Sequence, residues 1–187
     1  GCESRPAACS GALTLEQTER RITVTGADFT YVYDTFSGAF SGIRKGEKEY
    51  LIRPMEYNIW RAPTDNDRKI RLEWERAGYD RTKVRTYTTE ARLREDGSAE
   101  LVTELSLSAV HILNIKASWL IHRDGCIQVK LDVKKDMEFP FLPRFGLRLF
   151  LDQSLDRVRY CGMGPDESYP DKHQASWHGI FEGDVRT

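Results

Sequence analysis

The sequence contains no apolar run near the roughly 20 residues that a helix needs to cross a bilayer. Its first residues lack the basic stretch followed by an apolar stretch that marks a signal peptide. It also lacks an excess of either charge, because 28 Lys and Arg stand against 29 Asp and Glu, for a net charge of −1. This balance favours neither a nucleic-acid partner nor an anionic membrane surface. Together these absences predict a cytoplasmic protein with no nucleic-acid partner and no membrane partner.

Cysteine is scarce as well, with Cys2, Cys9, Cys126 and Cys161 as the complete set. None of them forms a Cys-x-x-Cys pair, and no Cys/His cluster with converging ligands is visible, so no metal site is predicted. Cys2 and Cys9 are close enough in sequence to form a disulfide in an oxidising compartment. A cytoplasmic location favours four free thiols instead.

Signatures of other catalytic classes are also missing. There is no Gly-x-Ser-x-Gly nucleophile motif, and residues 162–165 lack the glycine spacing of a phosphate loop. Glu73 and Glu75 lie two residues apart on a predicted helix and point in different directions, so they do not form a catalytic pair. The sequence therefore predicts no catalytic residue.

Alternation of apolar and polar residues with period 2 predicts antiparallel strands that have one buried and one solvent-facing side. Three such runs follow one another between residues 101 and 133. An Asp-Gly step at residues 96–97 precedes the first run, and another at 124–125 joins the second to the third; both predict hairpin turns, because glycine accepts the positive φ that these turns require. Shorter strands are predicted near residues 22–24, 29–33, 40–43, 50–52 and 145–151, with a turn at 34–38. The three long apolar faces are Leu101, Thr103, Leu105, Leu107 and Ala109; Leu113, Ile115, Ala117, Trp119 and Ile121; and Ile127, Val129, Leu131 and Val133.

One short helix is predicted near residues 68–78. Ile70, Trp74 and Ala77 have the spacing of a single apolar stripe, with Asp67 as the expected N-cap and Gly78 as the expected stop. The overall prediction is an all-β, antiparallel sandwich over residues 21–187, preceded by an arm or linker over residues 1–20.

Two loops carry the side chains that bind sugars. Residues 60–68 contain Trp60, Arg61, Asp65, Asn66 and Asp67, which combine an aromatic ring with planar polar groups. A purely structural role fits them equally well, because Asp and Asn bond to turn backbone and Arg61 can pair with an acid.

The second loop, residues 160–171, contains Glu167 and Tyr169 among glycines and prolines. These two side chains are candidate ligand contacts, and a rigid crossover loop is the structural alternative.

The same two loops resemble the last domain of family 2 β-galactosidases. Residues 58–67 (Asn-Ile-Trp-Arg-Ala-Pro-Thr-Asp-Asn-Asp) are similar to its Trp-Arg-Ala-Pro-x-Asp-Asn-Asp signature. Residues 160–171 are similar to its Gly-x-Gly-Pro-x-Glu-x-Tyr-Pro-Asp segment, and residues 143–147 match a third stretch between them. The resemblance covers roughly residues 15–187, and three motifs occur in the same order.

The resemblance implies a galactose-mutarotase-like supersandwich within a retaining β-galactosidase, whose catalytic glutamates lie in a preceding TIM-barrel domain. The implied role is non-catalytic: forming part of the wall of the sugar pocket and scaffolding the assembly. The implied partners are the rest of that enzyme, above all its TIM barrel, together with galactose or a β-galactoside, and a homo-oligomer is left open. The family's Mg²⁺ and Na⁺ or K⁺ ions are expected to bind mainly outside this segment, with no cofactor in it.

The sequence departs from the family in two ways. The longer mobile loop that follows the Asp-Asn-Asp step in some relatives is absent, because residues 68–71 lead almost directly into the helix. The family domain also continues past the equivalent of Thr187, so the sandwich is expected to be truncated at its C-terminus, with an edge or apolar face left exposed.

Two other functions stay open from the sequence. A standalone carbohydrate-binding module would use Trp60, Arg61 and Asp67. A mutarotase-like epimerase would need a histidine base and a glutamate facing each other, and His111, His122 and Glu167 are its candidates.

Overall fold

The computed structural model describes residues 11–107, 112–166 and 176–185. The chain divides into two compact units: residues 7–150 form the larger one, and the smaller one includes residues 151–187. Almost all regular structure is antiparallel β-strand, which confirms the predicted all-β class. In the part of the chain that the structure describes, no helix is long and apolar enough to cross a membrane.

The first sheet of the larger unit has five strands in sequence order. Each strand is linked to the next by a short turn, as expected for a meander. At residues 34–38 the turn closes with a hydrogen bond from the Gly38 N–H to the Asp34 carbonyl, 2.9 Å, which confirms the predicted turn. The strands are β1 (Thr14–Gln17), β2 (Arg21–Thr25), β3 (Phe29–Asp34), β4 (Ala39–Lys45) and β5 (Lys48–Glu49). β1 pairs with β2 and lies within the region that the sequence assigned to an arm or linker.

The second sheet is the long hairpin array, with strand order β10-β9-β8-β7. Gly97 and Gly125 have φ of 78° and 84°, so the two predicted Asp-Gly turns are confirmed. The four strands are β7 (Val84–Leu93), β8 (Ala99–Leu107), β9 (Leu113–Ile121) and β10 (Ile127–Lys135). Ala109, which the sequence placed on a strand face, lies outside the described residues.

The two sheets face each other across a shared core. Phe40 of β4 and Trp119 of β9 meet edge to face, with ring centroids 5.1 Å apart. Each of these large side chains contributes about 1.5–3 kcal/mol by its burial. The predicted inner face of β9 is buried throughout, which confirms the alternation from Leu113 to Ile121.

The predicted inner face of β10 is only partly buried, which corrects the expectation from its pattern. Its residues lie in register with β9, so that Val129 is opposite Trp119 and Val133 is opposite Ile115. Trp119 and Ile115 are buried, whereas Val129 and Val133 are 41% and 37% exposed. Alternation thus identified the inner face of β10 correctly, but how far the side chains on that face are buried depends on the elements that pack against it.

A third pairing joins β6 (Leu51–Asn58) to β11 (Gly146–Leu151). In the described part of the chain one α-helix, α1, spans Ile70–Arg76, within the predicted range of residues 68–78. Gly78 has φ of 76° and follows the helix, as its predicted role as a stop requires. In the smaller unit, β12 (Arg157–Gly164) pairs with β13 (Trp177–Asp184).

Two details of the sequence prediction are wrong. Asp67 is not the N-cap of α1, a position that Lys69 occupies. Asp67 instead ends a 3₁₀ turn formed by Asp65–Asp67 and directs its carboxylate back into that turn. Nor are all the cysteines free: Cys126 is free and exposed, but Cys161 is disulfide-bonded.

Candidate functional site

The candidate site is built on the loop of residues 60–67, which connects β6 to the 3₁₀ turn before α1. Alternation along β6 buries Met55, Tyr57 and Ile59 and leaves Asn58 and Trp60 partly exposed. Asn58 starts the loop by donating from its amide to the Trp60 carbonyl (2.9 Å) and accepting from the Trp60 N–H (3.3 Å). This local bonding of an Asn side chain to nearby backbone is typical of a turn.

Arg61 and Asp67 form a two-point ion pair that closes the loop. Arg61 Nη1 lies 2.6 Å from Asp67 Oδ2, and Arg61 Nη2 lies 3.0 Å from Asp67 Oδ1. Two parallel charge-assisted bonds are stronger and more directional than a single contact. The Asp67 side chain is 10% exposed and the Arg61 side chain 32% exposed, so the carboxylate is the more shielded partner of the pair.

Thr64 adds two further donors to the same carboxylate. Its backbone N–H lies 2.7 Å from Asp67 Oδ2, and its hydroxyl donates to that oxygen over 3.0 Å. The bonds from Arg61, and after them those from Thr64, lower the pKa of Asp67 to about 2. Asp67 is therefore an ionised acceptor that belongs to the loop's own structure.

A row of three aromatic rings runs beside this ion pair. Trp74 of α1 is fully buried and contacts both Trp60 and Phe141 edge to face, with centroid distances of 6.4 and 5.6 Å. The Arg61 guanidinium lies 5.5 Å from the centre of the Trp74 ring. Trp60 is half-buried, and 61% of Phe141 is exposed. A buried tryptophan thus supports two aromatic side chains that are partly or largely exposed to solvent.

Side chains also hold the chain segment that carries Phe141. Trp74 Nε1–H donates to the Phe141 carbonyl (2.8 Å), and the Tyr79 hydroxyl donates to the Pro140 carbonyl (2.6 Å). Arg61 Nε–H donates to the Pro143 carbonyl, 3.2 Å away. The 60–67 loop and the 139–145 segment therefore form one connected structure, although about 80 residues separate them.

The structure brings five of the seven predicted site residues together, with different degrees of access. Arg61 and Asp67 are committed to each other, and Trp60 is half-buried. Asp65 and Asn66 are exposed at the tip of the loop. The arrangement can therefore offer a carboxylate, an amide and an aromatic ring to a ligand from a loop that is held by its own ion pair.

The other two predicted site residues, Glu167 and Tyr169, lie outside the described residues, and so does His111. The described part of that loop continues from β12, where Tyr160 packs beside Phe181 with ring centroids 5.3 Å apart. Gly164-Pro165 is a cis peptide bond. His122 is described, and its backbone closes the Gly125 hairpin turn.

Among the residues that the structure describes, no three His, Cys, Asp or Glu side chains lie close enough together to hold a metal ion. Sequence reasoning assigned no role to Phe141 and Arg144, both of which are exposed within the 139–145 segment, although Arg144 lies in the family stretch of residues 143–147. The available signal was local: two prolines flank a phenylalanine at residues 140–143, in a stretch without strand alternation.

Comparison with known proteins identifies the family of this chain. The family model described as β-galactosidase small chain matches residues 25–187. A β-galactosidase of Actinobacillus pleuropneumoniae is 39% identical over 169 residues, covering 89% of this chain and 17% of that protein. β-Galactosidases of Staphylococcus xylosus and Lactobacillus delbrueckii subsp. bulgaricus are each 31% identical, over 90% and 94% of this chain.

The chain spans less than a fifth of the length of these curated relatives, 17% of the Staphylococcus xylosus protein and 18% of the Lactobacillus delbrueckii protein. The family model nevertheless covers residues 25–187, well over half of the chain, and includes both candidate loops. By this match the chain belongs to the β-galactosidase small chain family.

Proposed function

We propose that this chain is a non-catalytic domain of a β-galactosidase, in which it forms part of the wall of the sugar pocket and helps to scaffold the assembly. The parent reaction is the hydrolysis of terminal β-D-galactosides with retention. The observation that carries the proposal is the 60–67 loop. Arg61 and Asp67 hold this loop from within, and Asp65 and Asn66 remain exposed at its tip.

The state of Asp67 supports a non-catalytic role. A retaining glycosidase needs a carboxylic acid with a raised pKa to protonate the leaving group, and a second carboxylate about 5–5.5 Å away. The pKa of Asp67 is instead lowered to about 2 by Arg61 and Thr64, and its two oxygens are occupied by their donors. The reacting carboxyl groups are accordingly assigned to another part of the enzyme.

The exposed groups of the loop suit a supporting role at a sugar. An aromatic ring packs against the apolar face of a pyranose, while carboxylate and amide groups bond to its hydroxyls. Trp60 supplies the ring, with one side resting against Trp74. Asp65 and Asn66 supply the polar groups on a backbone that the 3₁₀ turn already orders, so little ordering entropy is lost on binding.

The first test separates this domain from the catalytic centre. We expect the purified 187-residue chain to hydrolyse a chromogenic β-galactoside no faster than buffer does. Hydrolysis above that background, if abolished by a substitution within this chain, would contradict a non-catalytic role.

The second test addresses contact with sugar in the intact enzyme. Asp65→Ala and Asn66→Ala should each raise KM by about tenfold with kcat little changed, because each removes one hydrogen bond to the substrate. The matched control is Asp132→Ala, which removes an exposed carboxylate on β10. KM values equal to those of the parent enzyme in both loop variants would rule out the pocket role.

A standalone carbohydrate-binding module is the second candidate, and it is favoured by the exposure of Asp65 and Asn66 on this chain itself. Calorimetric titration of the chain with galactose and lactose distinguishes the two. Heat of binding that disappears in Trp60→Ala supports the module. No heat at millimolar sugar, where even weak binding (about −4 kcal/mol at a Kd of 1 mM) would register, excludes it.

A further inference from the structure

Four side chains from outside the 139–145 segment donate hydrogen bonds to four of its carbonyl groups. Lys135 donates to Phe139, Tyr79 to Pro140, Trp74 to Phe141 and Arg61 to Pro143. The two prolines have no N–H, so the segment cannot form a regular ladder, and these donors satisfy its carbonyls instead. Trp74 and Tyr79 are fully buried. The backbone of this segment is therefore held by the core.

Some side chains of the same segment are exposed, whereas Phe139 and Leu142 pack against the core. Phe141 is 61% exposed and Phe145 is 37% exposed. Arg144 is exposed and makes no hydrogen bond or ion pair with any residue that the structure describes. Arg61, by contrast, uses its guanidinium on Asp67 and on backbone carbonyls. The segment thus combines a fixed backbone with an exposed guanidinium and an exposed aromatic ring.

We propose that Phe141 and Arg144 form a docking site for a protein surface that carries an acidic side chain next to an apolar patch, and that this surface belongs to the rest of the β-galactosidase. Arginine and aromatic residues are the types that dominate the energetics of protein interfaces. The fixed backbone lowers the entropy cost of association.

The charge and shape of the site determine the occupant. The guanidinium of Arg144 has no partner among the described residues, so it calls for a carboxylate, a group that suits a two-point contact. The exposed ring of Phe141 calls for an apolar neighbour beside that carboxylate, as an interface core provides. This inference rests on the proposed function, because the chain spans only 17% of the length of its relative from Actinobacillus pleuropneumoniae and the occupant is assigned to the remainder of such an enzyme.

Side-chain footprinting tests the site directly. Arginine-specific labelling and hydroxyl-radical oxidation are measured by mass spectrometry in the 187-residue chain and in the intact β-galactosidase that carries it. We expect Arg144 and Phe141 to react in the chain alone and to react at least about tenfold more slowly in the intact enzyme, because an interface core excludes solvent. Arg21, an exposed residue of β2, serves as the control and should react alike in both. Equal reactivity of Arg144 and Phe141 in the two samples would overturn the proposal.

A charge reversal provides the second measurement. Arg144→Glu should lower the urea concentration at which the intact enzyme is half unfolded. The isolated chain with this substitution should unfold at the same urea concentration as the unsubstituted chain. Arg21→Glu should change neither midpoint. A loss confined to the isolated chain would show a structural role instead and would reject the docking site.

The failure of this proposal and the failure of the pocket role can be told apart, because neither measurement above contains sugar. If 100 mM galactose protects Arg144 and Phe141 in the isolated chain (an amount chosen at about 100 times a 1 mM Kd), the site binds sugar and the protein-docking proposal is wrong. If Arg144 and Phe141 react more slowly in the intact enzyme but Asp65→Ala and Asn66→Ala leave KM unchanged, only the pocket role fails.

Discussion

The hydroxyl groups of Tyr33 and Thr103 lie 2.8 Å apart, although 70 positions separate the two residues in the sequence. Tyr33 belongs to β3 of the first sheet and Thr103 to β8 of the second, and both residues are fully buried. The bond therefore joins the two layers of the sandwich inside its core. Burial raises the pKa of the Tyr33 phenol, which keeps it protonated and able to donate.

Removing one partner of this bond should destabilise the larger unit. We expect Thr103→Val to lower the free energy of unfolding by about 1–3 kcal/mol, because the buried Tyr33 hydroxyl then lacks a partner. Urea unfolding measures the change. Thr88→Val, at an exposed position of β7, is the control and should stay within about 0.5 kcal/mol of the parent. In a double-mutant cycle, Tyr33→Phe combined with Thr103→Val should cost less than the sum of the two single changes, and additivity would contradict the bond.

Removing the hydroxyl oxygen of Tyr79 tests one of the hydrogen bonds that hold the backbone of the 139–145 segment. Its hydroxyl donates to the Pro140 carbonyl (2.6 Å), and the residue is fully buried. Tyr79→Phe keeps the ring and should lower the free energy of unfolding by about 1–3 kcal/mol, because a carbonyl is left without its donor. The comparison is Tyr87→Phe, where the hydroxyl bonds to Ser106 on a half-exposed ring and a smaller loss is expected. Equal losses in the two variants would show that the Pro140 contact has no special role.

Two glycines with similar φ allow the energetic cost of backbone strain to be distinguished from the cost of side-chain crowding. Gly38 has φ of 62° and Gly46 has φ of 56°. A Cβ at Gly38 would lie 2.6 Å from Leu105 Cδ2, whereas a Cβ at Gly46 would meet nothing within 4 Å. Gly46→Ala should cost about 1–2 kcal/mol from the left-handed conformation alone. Gly38→Ala should cost about 1–3 kcal/mol more, because the core must shift. Thermal unfolding of both variants measures the difference, and equal losses would contradict the close packing at Gly38.

Asp67 makes the stability of the loop depend on pH in the acid range. Its folded-state pKa is about 2, below the ordinary value of 3.8. Ionised Asp67 therefore stabilises the fold above about pH 3.8, and that contribution is lost as the pH falls from about 3.8 toward 2. We expect Asp67→Asn to unfold at lower urea than the parent at pH 7, with the difference shrinking below about pH 4 and largely gone near pH 2.

The control for this pH profile is Asp132→Asn on β10. Asp132 is exposed and lies 3.3 Å from Lys130, a surface pair whose removal should change stability by no more than about 1 kcal/mol. A difference between Asp67→Asn and the parent that is the same at pH 7 and pH 2 would mean that Asp67 acts through its shape rather than its charge.

Strands with regular alternation and clear turns could be predicted from the sequence, but others could not. β8 and β9 alternate, and an Asp-Gly step precedes β8 and follows β9. β7 was missed because it is mostly polar and because its pairing shifts between Thr86 and Thr88, which interrupts the period of two. β12 and β13 carry glycines and exposed residues on both sides, so neither has a pattern that indicates burial.

The candidate loop shows the same division between local and distant information. Its residue types and their order indicated a sugar-binding or structural loop, and the match to a family followed from them. The local sequence did not predict which groups bond to Asp67, because an N-cap role and an ion pair with Arg61 are equally compatible with it. Phe141 lies outside the three family motifs, and Arg144 lies in the third without a predicted role. What sets both residues apart is a backbone held by carbonyl bonds from residues far away in the chain.

The sequence by itself determined the all-β class, the hairpin turns, the position of the one helix and the family, because alternation, glycine at positive φ and motif order are local properties. Only the tertiary structure decided how much of the apolar face of β10 is covered. It also decided which loop side chains bond within the protein, and where a fixed backbone carries exposed side chains. These depend on contacts between residues far apart in the chain, such as Arg61 with Pro143 and Tyr33 with Thr103, and no local pattern records such contacts.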